Sequence, residues 1–500
     1  MAPFNSILEQ NADEIRKAVG NPEIVLEHHC NICYEDDDEE KRYSRLIENW
    51  DSPIVATSAV QMLNTLFSSQ KSSIRRMNSL CNSVIIFDEV QAIPLKCTEL
   101  FNLAINFLTH FCNTTVVLCS ATQPSLAKLD NNQLVDCKEM ICDLDKYMLA
   151  FKRVEYIAES AINNRTFDLN GITEFILEKF KTYKSILMIV NTKNCARDIY
   201  KKLEDIMDGE YLYHLSTNMC PQNRVEVLDE IREKLAGKKP IICISTQLIE
   251  AGVDVSFECV IRSEAGVDSI VQAAGRCNRN KELKEGKVYI VRLNAELENL
   301  THLKDIQEQQ KATEKVIYIL NHNEKYKNET IDSESIVKNY YDTLLKTAYI
   351  IPKTEYPSDR IANETLEMLL GSNRNGKQQF RKKHRNQNTE TLFIGQAFKT
   401  AGDKFEMISE EEKKSVIVAI DNVSREQIEV LKDQYSSFYE KERALKVLQR
   451  YSIGISSQMF NTLSDVIYRL SDIDICILNG DYYSKKIGIL QNPEANFLDF

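Results

Sequence analysis

Val84-Ile85-Ile86-Phe87-Asp88-Glu89-Val90-Gln91 is the stretch that decides the fold of this chain. Its four consecutive apolar residues predict a β-strand that is buried on both faces, as the strands of parallel sheets are. Two carboxylates, Asp88 and Glu89, follow at the carboxyl end of the strand, where open parallel sheets bind their ligands. Such an Asp can bind Mg²⁺, and the adjacent Glu can orient and deprotonate a water molecule. A strand that ends in two solvated acids is also a common pattern, so the interpretation depends on the rest of the chain.

Strand-like and helix-like segments alternate on both sides of this stretch, which is typical of parallel α/β sheets. The predicted strands are residues 53–57, 84–87, 115–119, 185–190, 240–244, 259–261 and 288–291. We therefore predict an α/β fold with two tandem lobes, at 1–149 and 150–295, each built on a parallel sheet. A helical linker is expected at 296–390, with a basic loop at 371–390, and a small α+β domain at 391–500.

The composition is that of a globular protein, because 43% of the residues are hydrophobic and 27% are charged. No apolar run approaches the ~20 residues of a membrane span, and the N-terminus lacks the features of a signal peptide. We therefore expect a cytoplasmic protein with no membrane association. The net charge of −12 confines any nucleic-acid binding to a local groove.

The segment His28-His29-Cys30-Asn31-Ile32-Cys33 contains residue types that bind zinc. A structural zinc site needs four ligands in closed geometry, usually with a second pair from elsewhere in the chain. The chain has no second Cys-x-x-Cys, so we expect a solvated loop here rather than a metal site. The 14 cysteines are otherwise scattered, which indicates reduced thiols and not a disulfide framework.

Four short motifs follow one another through the two predicted lobes, and their order is more informative than any one of them. They are Asp88-Glu89-Val90-Gln91; Ser120-Ala121-Thr122; Ser245-Thr246-Gln247 with Glu250-Ala251-Gly252-Val253-Asp254; and Gln272-x-x-Gly275-Arg276-x-x-Arg279. This order and spacing resemble motifs II, III, V and VI of superfamily 2 helicases, whose lobes are RecA-like parallel sheets. A chance match to one motif is common, whereas a chance match to all four in this order is rare.

Flanking segments narrow the resemblance to the helicase–nucleases of type I CRISPR systems. These segments are Ala2–Asn11, Leu26–His29, Leu215–Pro221 with Arg224, and Ala397–Ala401 with Lys404 and Phe405. The likeness covers most of residues 1–295 and returns near 396–420. At the fourth position of the Asp-Glu motif the family usually has His, whereas this chain has Gln91, whose amide can still donate and accept hydrogen bonds.

The resemblance implies catalytic roles for Asp88, Glu89, Gln91, Arg276 and Arg279. ATP would bind between the two lobes, with Mg²⁺ on Asp88 and the attacking water on Glu89. Arg276 and Arg279 are predicted on one helical face and would reach the γ-phosphate, which a guanidinium can bind in a bidentate manner. Gln91 would couple the two lobes.

The same resemblance assigns further residues to nucleotide and nucleic acid. The nucleotide-binding set is Gly252, Asp254, Gln272 and Gly275, and the coupling set is Ser120 and Thr122. The residues implied to contact the phosphate backbone of single-stranded DNA are Pro3, Thr57, Thr192 and Thr246. For each threonine a plain strand-end hydrogen bond is an equal alternative. The basic stretch 377–385 is either a clamp for single-stranded DNA or a mobile solvated loop.

Two parts of the family pattern are absent from the 500 residues. No adjacent His-Asp pair, which marks the nuclease domain of the family, occurs in the chain. The P-loop, Gly-x₄-Gly-Lys-[Ser/Thr], has only a partial counterpart at Gly371–Gln378, where Gln378 replaces the hydroxyl residue that binds Mg²⁺. In the family the P-loop precedes the Pro3-Phe4 segment, so we expect an incomplete first lobe of low stability and weak ATPase activity at best. The chain would then be a fragment, or a separate polypeptide would supply the P-loop and the nuclease.

The sequence thus predicts the motor portion of a CRISPR helicase in antiviral defence. It would use ATP to move along single-stranded DNA displaced by a guide-RNA surveillance complex. Two alternatives remain open: a general superfamily 2 RNA or DNA helicase, and a pseudo-helicase that binds nucleic acid or a partner without hydrolysing ATP. The missing P-loop favours the second alternative, whereas the intact carboxylates and arginines argue against it.

Overall fold

A computed structural model describes residues 1, 5–29, 37–124, 126–128, 132–141, 147, 151–159, 165–250, 252–326, 328–350, 366–383, 395–407, 413–470 and 474–492. Contacts within the chain form two compact units. Unit 1 is Met1–Cys142 with Val337–Ser409, and unit 2 is Asp143–Ile336 with Glu410–Phe500. The division into four segments, predicted from the sequence, stays a prediction.

The described part of unit 1 contains two pairs of parallel strands and the helices around them. The strands are β1 (Val25–His28) with β2 (Ile54–Thr57), and β3 (Val84–Phe87) with β4 (Thr115–Leu118). The helices of its first segment are α1 (Asn5–Val19), α2 (Asp37–Asn49), α3 (Ala59–Phe67), α4 (Lys71–Ile74) and α5 (Thr98–Phe111). Apolar side chains of α3 and α5 form one core with the inner face of β3, where Phe87 packs edge-on against Phe101 at 5.0 Å between ring centroids.

Strand β3 differs from its prediction, because it is buried on one face only. Ile85 and Phe87 are 4% and 2% exposed, whereas Val84 and Ile86 are 68% and 51% exposed. Successive side chains of a strand point to opposite faces. The outer face of β3 therefore has no covering layer among the residues that the structure describes.

Met1 lies beside β3 and pairs with it as a strand residue does. Its amino group donates to the carbonyl of Ile86 at 2.7 Å, and its own carbonyl accepts from the N–H of Asp88 at 2.8 Å. One residue bonded to two alternate residues of its neighbour is the pattern of a parallel ladder. Burial lowers the pKa of the Met1 amino group, and the Asp88 carboxylate opposes that shift.

Unit 2 is built on a seven-stranded sheet whose strands pair in parallel. They are β5 (Val154–Ala158), β6 (Thr166–Phe167), β7 (Ser185–Val190), β8 (Leu212–Leu215), β9 (Ile241–Thr246), β10 (Cys259–Ser263) and β11 (Gly286–Leu293). Their order is β5-β11-β10-β7-β9-β8, with β6 beside β11. The accompanying helices are α6 (Leu169–Phe180), α7 (Lys193–Glu204), α8 (Pro221–Ala236) and α9 (Val267–Ala274).

The central strand β7 shows why this sheet forms. All six of its residues are buried, in contrast to those of β3. Ile186, Met188 and Val190 belong to one hydrophobic core, and Leu187 and Ile189 belong to another. A sheet covered on both faces needs such continuous apolar strands, which is the pattern that the sequence predicted.

The helical region after the second sheet is confirmed in part and corrected in part. Helices α10 (Lys304–His322) and α11 (Glu334–Ile350) lie where helices were expected. Three shorter helices follow: α12 (Leu366–Leu370), α13 (Arg374–Lys383) and α14 (Phe398–Lys404). The loop predicted at 371–390 is therefore wrong for 374–383, where Lys, Arg and Gln, all good helix formers, outweigh the single glycine. No helix among the described residues is long and apolar enough to cross a membrane.

The C-terminal part of unit 2 adds a smaller mixed sheet, as the predicted α+β domain requires. Its strands are β12 (Lys413–Ile417), β13 (Ser452–Ser456), β14 (Ile467–Leu470) and β15 (Ile475–Leu478), in the order β13-β12-β15-β14. Its helices are α15 (Asn422–Lys432), α16 (Phe438–Leu448) and α17 (Ser457–Thr462). Among the described strands of this smaller sheet, β12 and β15 pair in parallel and the other neighbours pair antiparallel.

A final hairpin, β16 (Tyr483–Ser484) and β17 (Gly488–Ile489), joins this part to the loop that follows β8. The Tyr483 hydroxyl donates to Asn223 Oδ1 at 2.8 Å and accepts from the N–H of Cys220 at 3.1 Å. The N–H of Ile489 donates to the Asn218 carbonyl at 3.1 Å. These hydrogen bonds attach the hairpin to the loop that follows β8 and to the first turn of α8.

Candidate functional site

The carboxylates of the candidate site stand on a tight turn at the end of β3. Glu89 has a left-handed backbone conformation, with φ of 52°, which residues other than glycine seldom adopt. Its N–H donates to Asp88 Oδ1 at 3.1 Å, and the N–H of Val90 donates to the Cys119 carbonyl at 3.1 Å. Asp88 and Glu89 are both partly exposed, so a ligand can reach them. Strained backbone at a pair of accessible acids is typical of functional turns.

Gln91 connects this turn with the end of the neighbouring strand β4. Its Nε2 donates to a carboxylate oxygen of Glu89, and its Oε1 accepts from the Ser120 hydroxyl. Ser120 Oγ also accepts from the N–H of Thr122 at 3.0 Å. One neutral amide therefore links the first motif to the second, and it donates and accepts at the same time.

These residues fit Mg²⁺ better than they fit a triphosphate. Asp88 and Glu89 offer accessible carboxylate oxygens, the ligands that Mg²⁺ prefers. Gly371–Gln378 does not form a phosphate loop, because α13 begins inside it at Arg374. Beside Gly376 the space is filled by the Asn373 side chain, whose Oδ1 would lie 2.5 Å from a Cβ at Gly376. Asp88 and Glu89 therefore fit Mg²⁺, whereas the described segment Gly371–Gln378 forms no cradle for the β- and γ-phosphates.

The two histidines of the candidate zinc segment are occupied by neighbouring side chains. Trp50 Nε1 donates to His28 Nδ1 at 3.0 Å, and His29 Nε2 lies 3.1 Å from Glu27 Oε2. Burial, and the nearby charge of Arg76, lower the pKa of His28 to about 4. Residues 30–36 lie outside the described residues, so the loop expected there stays a prediction.

Thr192 and Thr246 stand at one edge of the sheet in unit 2. Strands β7 and β9 are neighbours whose register pairs Val190 with Thr246, and their carboxyl ends form the edge where parallel sheets bind ligands. Thr192 caps α7, since its Oγ1 accepts from the N–H of Cys195 at 3.3 Å. Its own O–H can still donate to a ligand.

Thr57 and Pro3, the other predicted nucleic-acid contacts, give less support. Thr57 is fully buried, and its hydroxyl donates to the His28 carbonyl at 2.9 Å. This is the plain strand-end bond that the sequence left open as the alternative. Pro3 lies outside the described residues. Nucleic-acid contact at either residue stays a prediction.

The arginines of the fourth motif do not share a helical face, contrary to the prediction. Helix α9 ends at Ala274, and Cys277 forms a bridge with Phe257 beyond it. Cys277 is fully buried, and its Sγ lies 3.5 Å from the carbonyls of Glu258 and Lys287. Glu258 immediately precedes β10, and Lys287 lies in β11. The chain turns at Gly275 and Arg276 instead of continuing the helix, and this turn places Cys277 in the core.

The two arginines are held in different ways. Arg276 is 8% exposed and donates to the Ile249 and Glu250 carbonyls at 2.9 and 2.7 Å, so it fixes the loop of the third motif. Arg279 is accessible and pairs with Asp254 at 3.2 Å. An exposed ion pair contributes only about 0–1 kcal/mol, so Arg279 can exchange Asp254 for a phosphate at small cost.

The glycines of these motifs meet backbone requirements of their positions. Gly252 has φ of 73°, the left-handed region that glycine adopts without strain. A Cβ at Gly275 would lie 2.9 Å from the Gln272 carbonyl, closer than side chains tolerate. Binding of nucleotide by Gly252, Gly275, Gln272 or Asp254 stays a prediction.

A buried polar network at the same edge of unit 2 was not predicted from the sequence. Arg262 on β10 is fully buried, with Nε 2.8 Å from Glu250 Oε1 and Nη1 3.0 Å from the Ser263 carbonyl. Glu298 accepts from the N–H of Asn191 at 2.6 Å and from the Ser263 hydroxyl at 3.1 Å. Asn191 immediately precedes Thr192, the cap residue of α7, so the network holds the backbone next to that threonine.

Burial dominates the electrostatics of this network. It raises the pKa of Glu250 to about 7, although Arg262 favours the charged form, and it raises the pKa of Glu298. The signal in the sequence was an arginine inside an apolar strand, since a charged side chain is almost never buried without a partner. Its acidic partner Glu250 lies 12 residues away, at a position that periodicity cannot connect.

Comparisons with known proteins agree with this organisation. A family profile described as CRISPR-associated nuclease/helicase Cas3, C-terminal, matches residues 182–282. The CRISPR-associated nuclease/helicase Cas3 of Haloferax volcanii is 26% identical over 383 residues, which cover 56% of this chain and 40% of that protein. The Cas3 of Methanothermobacter thermautotrophicus is 25% identical over 200 residues, 39% of this chain and 23% of the relative. By sequence, this chain resembles Cas3. It spans two fifths or less of the length of these two relatives.

Solved structures of Cas3 have the same fold. The structure titled T. fusca Cas3-ADP superposes with a TM-score of 0.64 at 13% identity, covering 96% of this chain and 61% of that one. T. fusca Cas3 alone gives 0.63 at 12% identity, with the same coverage. At such identities the likeness shows the fold and nothing further. The predicted α/β fold, with two tandem RecA-like units, is confirmed.

Proposed function

We propose that this chain is the ATP-dependent motor portion of a type I CRISPR helicase–nuclease. It would move along single-stranded DNA in antiviral defence, in the cytoplasm. The observation that carries the proposal is the connection of Glu89 through Gln91 to Ser120, at the ends of two parallel strands. The similarity to Cas3 over more than half of the chain supports the same conclusion.

In this proposal Asp88 holds Mg²⁺ and Glu89 orients the water that attacks the γ-phosphate of ATP. Gln91 keeps the Glu89 carboxylate in place and transmits its position to Ser120 and Thr122. Structures of the similar T. fusca protein are titled with ATP, ADP and AMPPNP, which favours nucleotide as the ligand.

Arg279 and Arg276 would have different roles. Arg279, in its exposed pair with Asp254, is the residue free to bind a phosphate, whereas Arg276 shapes the loop that contains Gly252. Thr192 and Thr246 would contact the sugar–phosphate backbone of single-stranded DNA, a mode of contact that reads no sequence.

Hydrolysis also needs amides and a lysine that cradle the β- and γ-phosphates, and no P-loop motif occurs in the 500 residues. We propose that polypeptide outside these residues, either continuous with them or separate, supplies the P-loop together with the nuclease. The exposed outer face of β3, with Val84 and Ile86, is consistent with a further layer of structure on unit 1.

The proposed partner is a CRISPR surveillance complex. A solved structure titled CRISPR RNA-guided surveillance complex, pre-nicking, matches with a TM-score of 0.53 at 14% identity. A general superfamily 2 helicase is the main alternative, and a pseudo-helicase without hydrolysis is the other, favoured by the missing P-loop motif.

The test compares ATP hydrolysis in the presence of single-stranded DNA, single-stranded RNA and a DNA-loaded surveillance complex, with the upstream polypeptide added. Asp88→Asn is the control, because it removes the Mg²⁺ ligand and leaves the fold. We expect stimulation by DNA and by the complex, lost in the control. Equal stimulation by RNA would favour the general helicase, and DNA binding without any hydrolysis would favour the pseudo-helicase.

A further inference from the structure

Helix α13 (Arg374–Lys383) carries a concentration of positive charge that the proposed site does not use. Residues 371–389 contain no Asp or Glu, although the chain has 74 acidic residues and a net charge of −12. Ten helical residues include five cations, namely Arg374, Lys377, Arg381, Lys382 and Lys383. The net charge of this helix is therefore positive, whereas that of the whole chain is negative.

Four of these cations form one stripe along the helix. Arg374, Lys377, Arg381 and Lys382 occupy positions i, i+3, i+7 and i+8, which lie on the same face of an α-helix. Arg374, Arg381 and Lys382 are exposed, and Lys377 is partly exposed. At a rise of 1.5 Å per residue the stripe is about 10 Å long from Arg374 to Arg381.

No residue of this basic stripe has an ion-pair partner in the part of the chain that the structure describes. Other helices neutralise their cations with an acid three positions away. These pairs are Lys17–Glu14 on α1, Arg232–Asp229 on α8, Lys311–Glu308 on α10 and Lys432–Glu429 on α15. Like charges at these spacings repel one another, and an anionic ligand would relieve that repulsion.

The basic stripe is also held in a fixed position on unit 1. Helix α12, just before it, buries Leu366 and Leu369 in the core of that unit. The N–H of Asn373, which is 8% exposed, donates to the Met368 carbonyl at 2.7 Å and sets the direction of α13. The stripe is thus part of the folded surface rather than a free tail, so its charges are arranged before any ligand arrives.

We infer that the basic stripe of α13 binds the phosphodiester backbone of a single nucleic-acid strand. The argument is charge complementarity: four cations in a row, with no acidic partner among the described residues, match a polyanion whose charges also lie in a row. The two arginines can each bind a phosphate in a bidentate manner, and contact to the backbone needs no base sequence. The inference rests on the proposed function, since it adds a contact for the DNA that the motor would follow.

The experiment measures binding of a fluorescein-labelled 20-nucleotide oligothymidine to the 500-residue chain over a range of salt concentrations. The variant is Arg374→Gln/Arg381→Gln/Lys382→Gln. Each lost phosphate contact removes about 0.7 from the slope of log affinity against log salt, so we expect the slope to fall by about 2. Arg381→Gln alone is expected to lower it by about 0.7, and it keeps the test valid if the triple variant is unstable.

The matched control is Lys315→Gln/Lys338→Gln, two exposed lysines on α10 and α11 that also lack an ion pair among the described residues. The control is expected to keep the wild-type slope. An unchanged slope in the α13 variants, with normal wild-type binding, would overturn the inference and leave the proposed function standing. No binding by the wild type would contradict both. Competition by polyglutamate as strong as that by oligothymidine would overturn the inference in favour of an acidic protein partner.

Discussion

Gln91 joins two motifs through a neutral amide that donates to the Glu89 carboxylate. A carboxylate at position 91 would repel Glu89 instead. The amide donates to Glu89 and accepts from Ser120, so neither neighbour is left unpaired. In the proposed function Gln91 is a positioning residue for the Glu89 carboxylate, and this contact can be tested without any ligand.

We expect Gln91→Glu to lower the free energy of unfolding by about 1–3 kcal/mol at pH 8, because it places a second carboxylate against Glu89. Repulsion raises the folded-state pKa of this pair above its unfolded value. The folded state then binds more protons, so the loss is small near pH 4.5 and grows as the pH rises. Urea unfolding at both pH values measures this, and an equal loss at both would contradict the proposed contact.

The buried pair of Glu250 and Arg262 gives a second prediction for single residues. At pH 8, where Glu250 is ionised, Glu250→Gln or Arg262→Met should each cost about 3–5 kcal/mol, because each leaves the other charged group buried without its partner. The double variant should cost less than the sum of the two. A double-mutant cycle from urea unfolding measures the coupling, and additive losses would show that the two groups do not interact.

The same pair predicts a pH dependence. Burial raises the folded-state pKa of Glu250 from 4.5 to about 7. The contribution of Glu250 to stability is therefore present below about pH 4.5 and is lost as the pH rises to 7. Glu250→Gln should remove this decline, and a decline of unchanged size in the variant would assign it to other groups.

At the scale of elements, the two strands β3 and β7 explain what the sequence can and cannot predict. Both are apolar runs, and β3 was expected to be buried on two faces. Only β7 is, because burial depends on which other elements cover a strand and not on the strand's own residues. The same limit applies to Arg262, whose partners are distant in the chain. The order of the motifs, by contrast, predicted the fold correctly. Glu89, Gln91 and Ser120 lie together because the strand ends of one parallel sheet share an edge.

The one-sided burial of β3 predicts opposite responses to substitution along the strand. Ile86→Thr, on the exposed face, should change the free energy of unfolding by less than about 0.5 kcal/mol. Ile85→Ala, on the buried face, should lower it by about 2–5 kcal/mol. Urea unfolding of both variants is the measurement, and a large loss from Ile86→Thr would mean that this face is covered.

The final hairpin offers a test of how the C-terminal sheet is attached. Gly488 has φ of 80°, and a Cβ there would collide with the Asn218 carbonyl, so Gly488→Ala should destabilise the chain by about 2 kcal/mol or more. Gly480→Ala is the matched control, since a Cβ at Gly480 meets nothing within 4 Å. Thermal unfolding compares them. Equal midpoints would show that the hairpin does not rest on this loop.

For the whole molecule, the proposed function rests on motifs that resemble those of helicases, in 500 residues that contain no P-loop motif. Such a chain should bind nucleic acid by its own basic surface and should depend on other polypeptide for the chemistry of ATP.

The measurement that tests this claim most directly is ATP hydrolysis by the chain at saturating single-stranded DNA, first alone and then with a polypeptide carrying the upstream P-loop region. We predict no turnover above that of Asp88→Asn for the chain alone, and DNA-dependent turnover once the second polypeptide is added. Vigorous turnover by the chain alone, abolished by Asp88→Asn, would contradict the claim, because it would mean that the 500 residues already contain a complete phosphate site.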